Sequence, residues 1–142
     1  MSSALYHEAI KALARAAHGA GRLDAPDGAV LLDNPLCGDR VAMQVTLRDG
    51  RIAALAHEVK GCLLCCAAAS VIGRRAPGAT VPEMEAVAAA VEGMLARAGG
   101  VPAGWEELAA FEPVRRARSR HRCVLLPFEA LLTALDKAGR KP

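Results

Sequence analysis

The chain has 142 residues and a mass of 14.8 kDa, the size of one ordinary domain and enough to bury a core without disulfide staples. Hydrophobic residues make up 53% but 31 of the residues are alanine and aromatics only 3%, so the core must be aliphatic and its helices closely packed. With 23% charged residues and no apolar run near the ~20 residues of a bilayer span, composition excludes a helical membrane protein, and its hydrophobicity excludes disorder.

Residues 3–17 predict an amphipathic helix, with Leu5, Ala9, Leu13 and Ala16 at helical spacing; Gly19 and Gly21 stop it. Because His7, Glu8, Lys11, Arg15 and His18 interrupt this stretch, it does not read as a targeting signal, and the chain is expected in the reducing cytoplasm. Residues 22–36 read mostly as loop, with a short strand at Val30–Leu32. Val41 to Leu47 alternates as a half-buried strand, Asp49-Gly50 is a tight hairpin turn, and Arg51 to Val59 is the returning strand. Residues 63–75 lose the alternation and predict a buried helix. Thr80, Pro82 and Glu83 open the next helix with a capping box, and it ends at Gly99-Gly100. A short helix is expected from Gly104 to Phe111, with Trp105 and Phe111 as core or cap residues, and the basic residues 114–122 follow. Pro127 opens a last helix with Phe128, Leu131, Leu132 and Leu135 on its apolar face. With no repeat and no dividing linker, the reading is a single α+β domain: a small antiparallel sheet, the hairpin plus a third short strand, packed by helices.

The net charge of +3 is uneven, since residues 114–142 hold eight Lys/Arg against Glu129 and Asp136. Such a segment suits nucleic acid, an acidic partner or an anionic ligand, or is a solvated helix face. The run Arg115, Arg116, Arg118, Arg120, Arg122 lacks the aromatic interleaving of a single-strand binder and sits in no helix-turn-helix pattern, which argues against nucleic acid.

Five cysteines, an odd number, point in a reducing compartment to metal binding, sulfur chemistry or inert buried thiols rather than a disulfide framework. Cys37 and Asp39 flank Gly38, whose backbone freedom lets a thiol and a carboxylate converge on one ion. Cys62 stands at the start of the buried helix, where the helix dipole favours thiolate, and Cys123 follows the arginine run, where positive charge does the same. Three thiolates and one carboxylate suit tetrahedral zinc; the same thiolates suit an iron–sulfur cluster. Cys65 and Cys66, three and four residues after Cys62, are near its helix face. They are either small buried side chains or an accessory sulfur acceptor or alternate ligand. His121 is a surface residue of the basic run or a transient substitute ligand. His57 is expected exposed or hydrogen-bonded on its strand.

Asn34-Pro35-Leu36-Cys37-Gly38-Asp39, then a hairpin, then Gly61-Cys62 opening an Ala-rich helix through Ser70, then a basic segment ending in Cys123 before a final helix: over residues 30–135 this order resembles the iron–sulfur cluster assembly proteins of the IscU/NifU N-terminal type. The long interval from Cys62 to Cys123, and Arg122 rather than histidine before the last cysteine, make it more similar to the SufU branch than to IscU. Ala17-His18-Gly19-Ala20-Gly21 stands where the family carries a Tyr/Asn-Pro-Arg pattern. The resemblance implies an IscU/SufU-like single domain over 1–142 with an insertion at roughly 99–115. It implies Zn2+ held by Cys37, Asp39, Cys62 and Cys123, sulfur accepted from a SufS-like cysteine desulfurase, and Arg120 at a basic position near the site. Cys123 is the expected attacking thiol, on a basic segment that looks mobile. The alternative is a scaffold for a transient [2Fe–2S] cluster handed to downstream assembly proteins. On the first reading the chain is a zinc-dependent sulfurtransferase acting with the desulfurase.

Overall fold

The computed structural model describes residues 7–36 and 38–139. In chain order it contains α1 (Glu8–Ala16), β1 (Gly28–Asn34), β2 (Asp39–Arg48), β3 (Arg51–Lys60), α2 (Leu63–Arg75), α3 (Val81–Arg97), two 3-10 segments (Glu106–Arg116 and Arg118–Arg120) and α4 (His121–Gly139). The strands form an antiparallel meander in the order β1-β2-β3. This is the α+β architecture expected, with helices α2 and α4 against the sheet, α1 on α2 and α3 on α4. Among the described residues no helix is long and apolar enough to cross a membrane.

The β2–β3 hairpin turns through Asp49 (φ 54°) and Gly50 (φ 76°), with Arg48 paired to Arg51, a two-residue turn with both central residues at positive φ. Val41, Met43 and Val45 alternate inward and are fully buried. A bulge between Thr46 and Leu47 pairs Leu47 with Ile52, so Ala53 is the extra residue and Ile52 joins the buried row. The same register sets His57 opposite Met43, on the helix-covered face. His57 is therefore buried, its Nε2 on the carbonyl of His18 at 2.7 Å. Burial pulls the His57 ring below its ordinary pKa, against the hydrogen bond to His18. The segment after α1 is sewn down further by His18 N–H donating to Ser70 Oγ (3.0 Å) and by backbone bonds from His57 to Gly19 and from Gly21 to His57.

The capping box of α3 is present in both halves: Glu83 N–H donates to Thr80 Oγ1 (3.2 Å) and Thr80 N–H to Glu83 Oε1 (2.9 Å). Trp105 and Phe111 are buried, and Trp105 lies against Phe128 with ring centroids 6.2 Å apart.

Four expectations need correction. Helix α1 begins at Glu8 after the N-cap His7, and residues 3–6 of the expected helix lie outside the described residues. The short third strand is a full seven residues, because its backbone pairs with β2 from Gly28 to Asn34. The expected helix at 104–111 is a 3-10 run to Arg116 containing Pro113, whose missing N–H breaks α-helical bonding. Last, α4 starts at His121, six residues before Pro127. The helix runs through Pro127, which has no N–H to offer the carbonyl of Cys123 four residues earlier. Burial of Pro127, Phe128 and Leu131 against the sheet and α3 holds the helix despite that loss.

Candidate metal centre

Three structural ends meet at one corner of the molecule. Asp39 is the first residue of β2, Cys62 is the N-cap of α2, and Cys123 lies in the first turn of α4. One ligand atom from each lies within 4.8 Å of the other two. Cys37 lies outside the described residues. Its neighbours are placed: Asn34 ends β1, Gly38 (φ 75°) turns the chain, and the Gly38 N–H donates to the Asn34 carbonyl at 2.8 Å.

Asp39 is 1% exposed. Its Oδ1 accepts from the Cys62 N–H at 2.9 Å, and its buried Oδ2 has no hydrogen-bond partner among the described residues. Orphaned buried carboxylate oxygens are costly, and Oδ2 is free to act as a ligand. Two thiols and one carboxylate oxygen are donors that zinc accepts, with room for a fourth. Gly61 is required for this approach, because a Cβ there would collide with Asp39 Oδ1. The N-cap conformation of Cys62 (φ −72°, ψ 168°) presents its thiol beside the open start of α2.

The structure corrects the expectation that Cys123 rides a mobile segment: it is fully buried in a helical turn, whereas Cys62 is half-buried. Cys65 is buried in the core of α2. Cys66 is half-buried, with Sγ 3.8 Å from the Gly61 carbonyl, and stands outside the trio. Burial pushes its thiol up, and the nearby Cys62 and Asp39 add to that. His121 also stays apart, with Nε2 3.0 Å from the Arg115 carbonyl. Arg120 occupies the 3-10 turn just before α4, three residues from Cys123. Arg122 pairs with Glu129 at 2.6 Å and Arg115 with Glu112 at 3.4 Å, which removes part of the positive field expected of the arginine run.

A cleft of about 330 Å³ opens beside the centre, lined by Asp33, Asn34, Pro35, Gly38, Asp39, Arg40 and Lys60. The motif reading assigned no role to Asn34, Arg40 or Lys60. Their signal is the strand register, which sets Asn34 opposite Asp39 and Arg40 between Asp33 and Lys60.

A family profile described as "NifU-like N terminal domain" matches residues 5–111. Two curated relatives from Archaeoglobus fulgidus, named iron-sulfur cluster assembly scaffold proteins IscU 1 and IscU 2, are each 30% identical over 79 residues. Those alignments cover 52% of this chain and 52% of each relative, so the chain spans about half the length of the curated relatives it matches. Among solved structures, the crystal structure of a nitrogen-fixing NifU-like protein (N-terminal) from Brucella abortus superposes with a TM-score of 0.93 at 33% identity, covering 99% of both chains. A candidate scaffold protein for the SUF system from Fervidobacterium islandicum AW-1 gives a TM-score of 0.86 over 95% of this chain and 99% of that one. At 23% identity that likeness is one of fold.

Proposed function

This chain belongs to the NifU-like N-terminal domain family, and we propose that it works in cytoplasmic iron–sulfur cluster assembly as a zinc-holding acceptor of persulfide sulfur from a SufS-like cysteine desulfurase. The observation that carries this reading is the convergence of Asp39, Cys62 and Cys123, with Asp39 Oδ2 buried and unpartnered among the described residues. Cys37, two residues before Asp39, completes the proposed set of four. A bound zinc ion would keep these thiols deprotonated and guard them from oxidation.

The transfer itself is thiol–persulfide exchange. The Cys123 thiolate attacks the outer sulfur of the donor's Cys–S–SH, a new S–S bond forms at Cys123, and the donor's S–S bond breaks to leave its cysteine as a thiolate. Because Cys123 is buried, acceptance there requires a local opening at the junction of the 3-10 turn and α4. In this reading Arg120, in that turn, meets an anionic surface of the donor.

The second reading is a scaffold on which a [2Fe–2S] cluster is assembled as cargo on the same four residues and passed to downstream assembly proteins. The names of the Archaeoglobus relatives favour it. One experiment separates the two. Zinc-loaded protein is mixed with a desulfurase and cysteine, and both turnover and cluster transfer to an apo-acceptor are followed. Faster desulfurase turnover, with an added sulfur atom mapped to Cys123 and no cluster transfer, supports sulfur acceptance. Cluster transfer without stimulation supports the scaffold.

A further inference from the structure

Asn34 and Asp39 are directly opposite residues of β1 and β2, which puts their Cβ atoms about 4.5–5.5 Å apart. Both are buried, at 3% and 1% exposure. Asn34 Nδ2, a donor, and Asp39 Oδ2, an acceptor, each lack a partner among the described residues. A donor and an acceptor thus stand side by side without bonding to one another. A metal ion satisfies only the carboxylate oxygen, because an N–H cannot ligate a cation. The amide needs an acceptor of its own, and a metal-bound thiolate of the centre that Asp39 joins would supply one. The rest of the cleft agrees. Arg40 and Lys60 line it, and its other carboxylate, Asp33, already binds Arg40.

We propose that Asn34 is a positioning residue, whose amide donates a hydrogen bond to metal-bound sulfur beside Asp39 and so makes that sulfur a better-held ligand. This rests on the metal-holding reading. Wild-type protein that takes up neither zinc nor cobalt(II) would sink that reading, whereas the test of Asn34 compares variants at a site the wild type fills.

The test is a cobalt(II) titration of wild type, Asn34→Ala, Asn34→Asp and Asn34→Ser. Affinity and the thiolate-to-cobalt charge-transfer band are recorded, together with the melting temperature with and without metal. Asn34→Ala should weaken cobalt binding about tenfold and move the band to lower energy, because a thiolate relieved of a hydrogen bond gives up charge more readily. The metal-free melting temperature should not fall, since the substitution deletes an orphaned donor. Asn34→Asp should weaken binding further by setting a second carboxylate against Asp39, and Asn34→Ser, which keeps a donor, should hold the band near that of wild type. Wild-type affinity and band position in Asn34→Ala would mean the amide meets only a buried water, and would overturn the proposal. So would an equal loss of melting temperature with and without metal. Should Asn34→Ala not fold, the Asp and Ser variants decide: a shifted band in Asp but not Ser supports the proposal, and identical bands in both overturn it.

Discussion

Asp39 enters the centre with Oδ1 engaged by the Cys62 amide and Oδ2 left for a metal. A carboxylate is a harder ligand than thiolate and exchanges more readily from a soft site. Asp39→Ala should therefore still fold, yet release zinc to a chelator severalfold more slowly than wild type; unchanged release kinetics would remove the tuning role. The thiols divide by position. Cys→Ser at 37, 62 or 123 should abolish stoichiometric zinc, while Cys65→Ser and Cys66→Ser should keep it, because Cys65 is core packing and Cys66 stands outside the trio. Metal analysis of the five purified variants checks this, and a full zinc complement in Cys123→Ser sinks the assignment. The motif singled out these proposed ligands, since the cysteines and the aspartate follow in a telling order. It could not expose the orphaned Asn34 amide, whose environment exists only once β1 and β2 are in register.

Helix α2 approaches the segment after α1 so closely that a Cβ on Gly73 would collide with the His18 carbonyl. The same segment is tied to Ser70 and His57, so it cannot give way cheaply. Gly73→Ala should destabilise by about 1–3 kcal/mol, as overpacking does, readable as a lower urea midpoint. At the other end of α2, Arg75 Nε donates to Glu107 at 2.9 and 3.0 Å, and Arg74 Nε lies 3.5 Å from the same carboxylate. Burial acts to raise the Glu107 carboxyl, but the Arg75 hydrogen bond and the two arginine charges outweigh it and hold it below its ordinary value near 4.5. A carboxyl whose pKa is lowered on folding adds stability that is complete above that ordinary value and is lost as pH falls through the lowered one. Glu107→Gln should therefore melt a few degrees below wild type at pH 7, with the gap closing in acid; a gap independent of pH would show that the charge is not what matters. Elements with strong local signals, the hairpin and the capped α3, were legible in the chain. The start of α4 was not, because Pro127 normally marks a helix's first turn and only packing against the sheet carries the helix through it.

Over the whole molecule, the basic C-terminal segment is less exposed as charge than composition suggests, with Arg122 on Glu129 and Arg115 on Glu112. Arg116 and Arg118 stay exposed, and Arg120 is half-buried in the turn leading to Cys123. If this edge steers an acidic donor, Arg120→Ala should slow sulfur acceptance severalfold at low salt while leaving bound zinc intact. The difference should shrink as salt screens charge over ~8–10 Å. Sulfur acceptance at the wild-type rate in low salt would make the segment a solvated face.

The sequence by itself determined the family, the α+β class and the identities of the proposed ligands. Those rest on local signals: residue order, alternation, a positive-φ hairpin dipeptide and a capping box. Tertiary structure alone decided that Cys123 is buried in a helix rather than carried on a loop, that His57 faces the helices, and that Asn34 stands opposite Asp39 with Nδ2 and Oδ2 unpartnered among the described residues. The physical reason is common to all three. Burial and strand register are set by which distant segments pack together, and residues such as Asp39 and Cys62, 23 positions apart in the chain, acquire a shared environment only when the sheet and helices close around them.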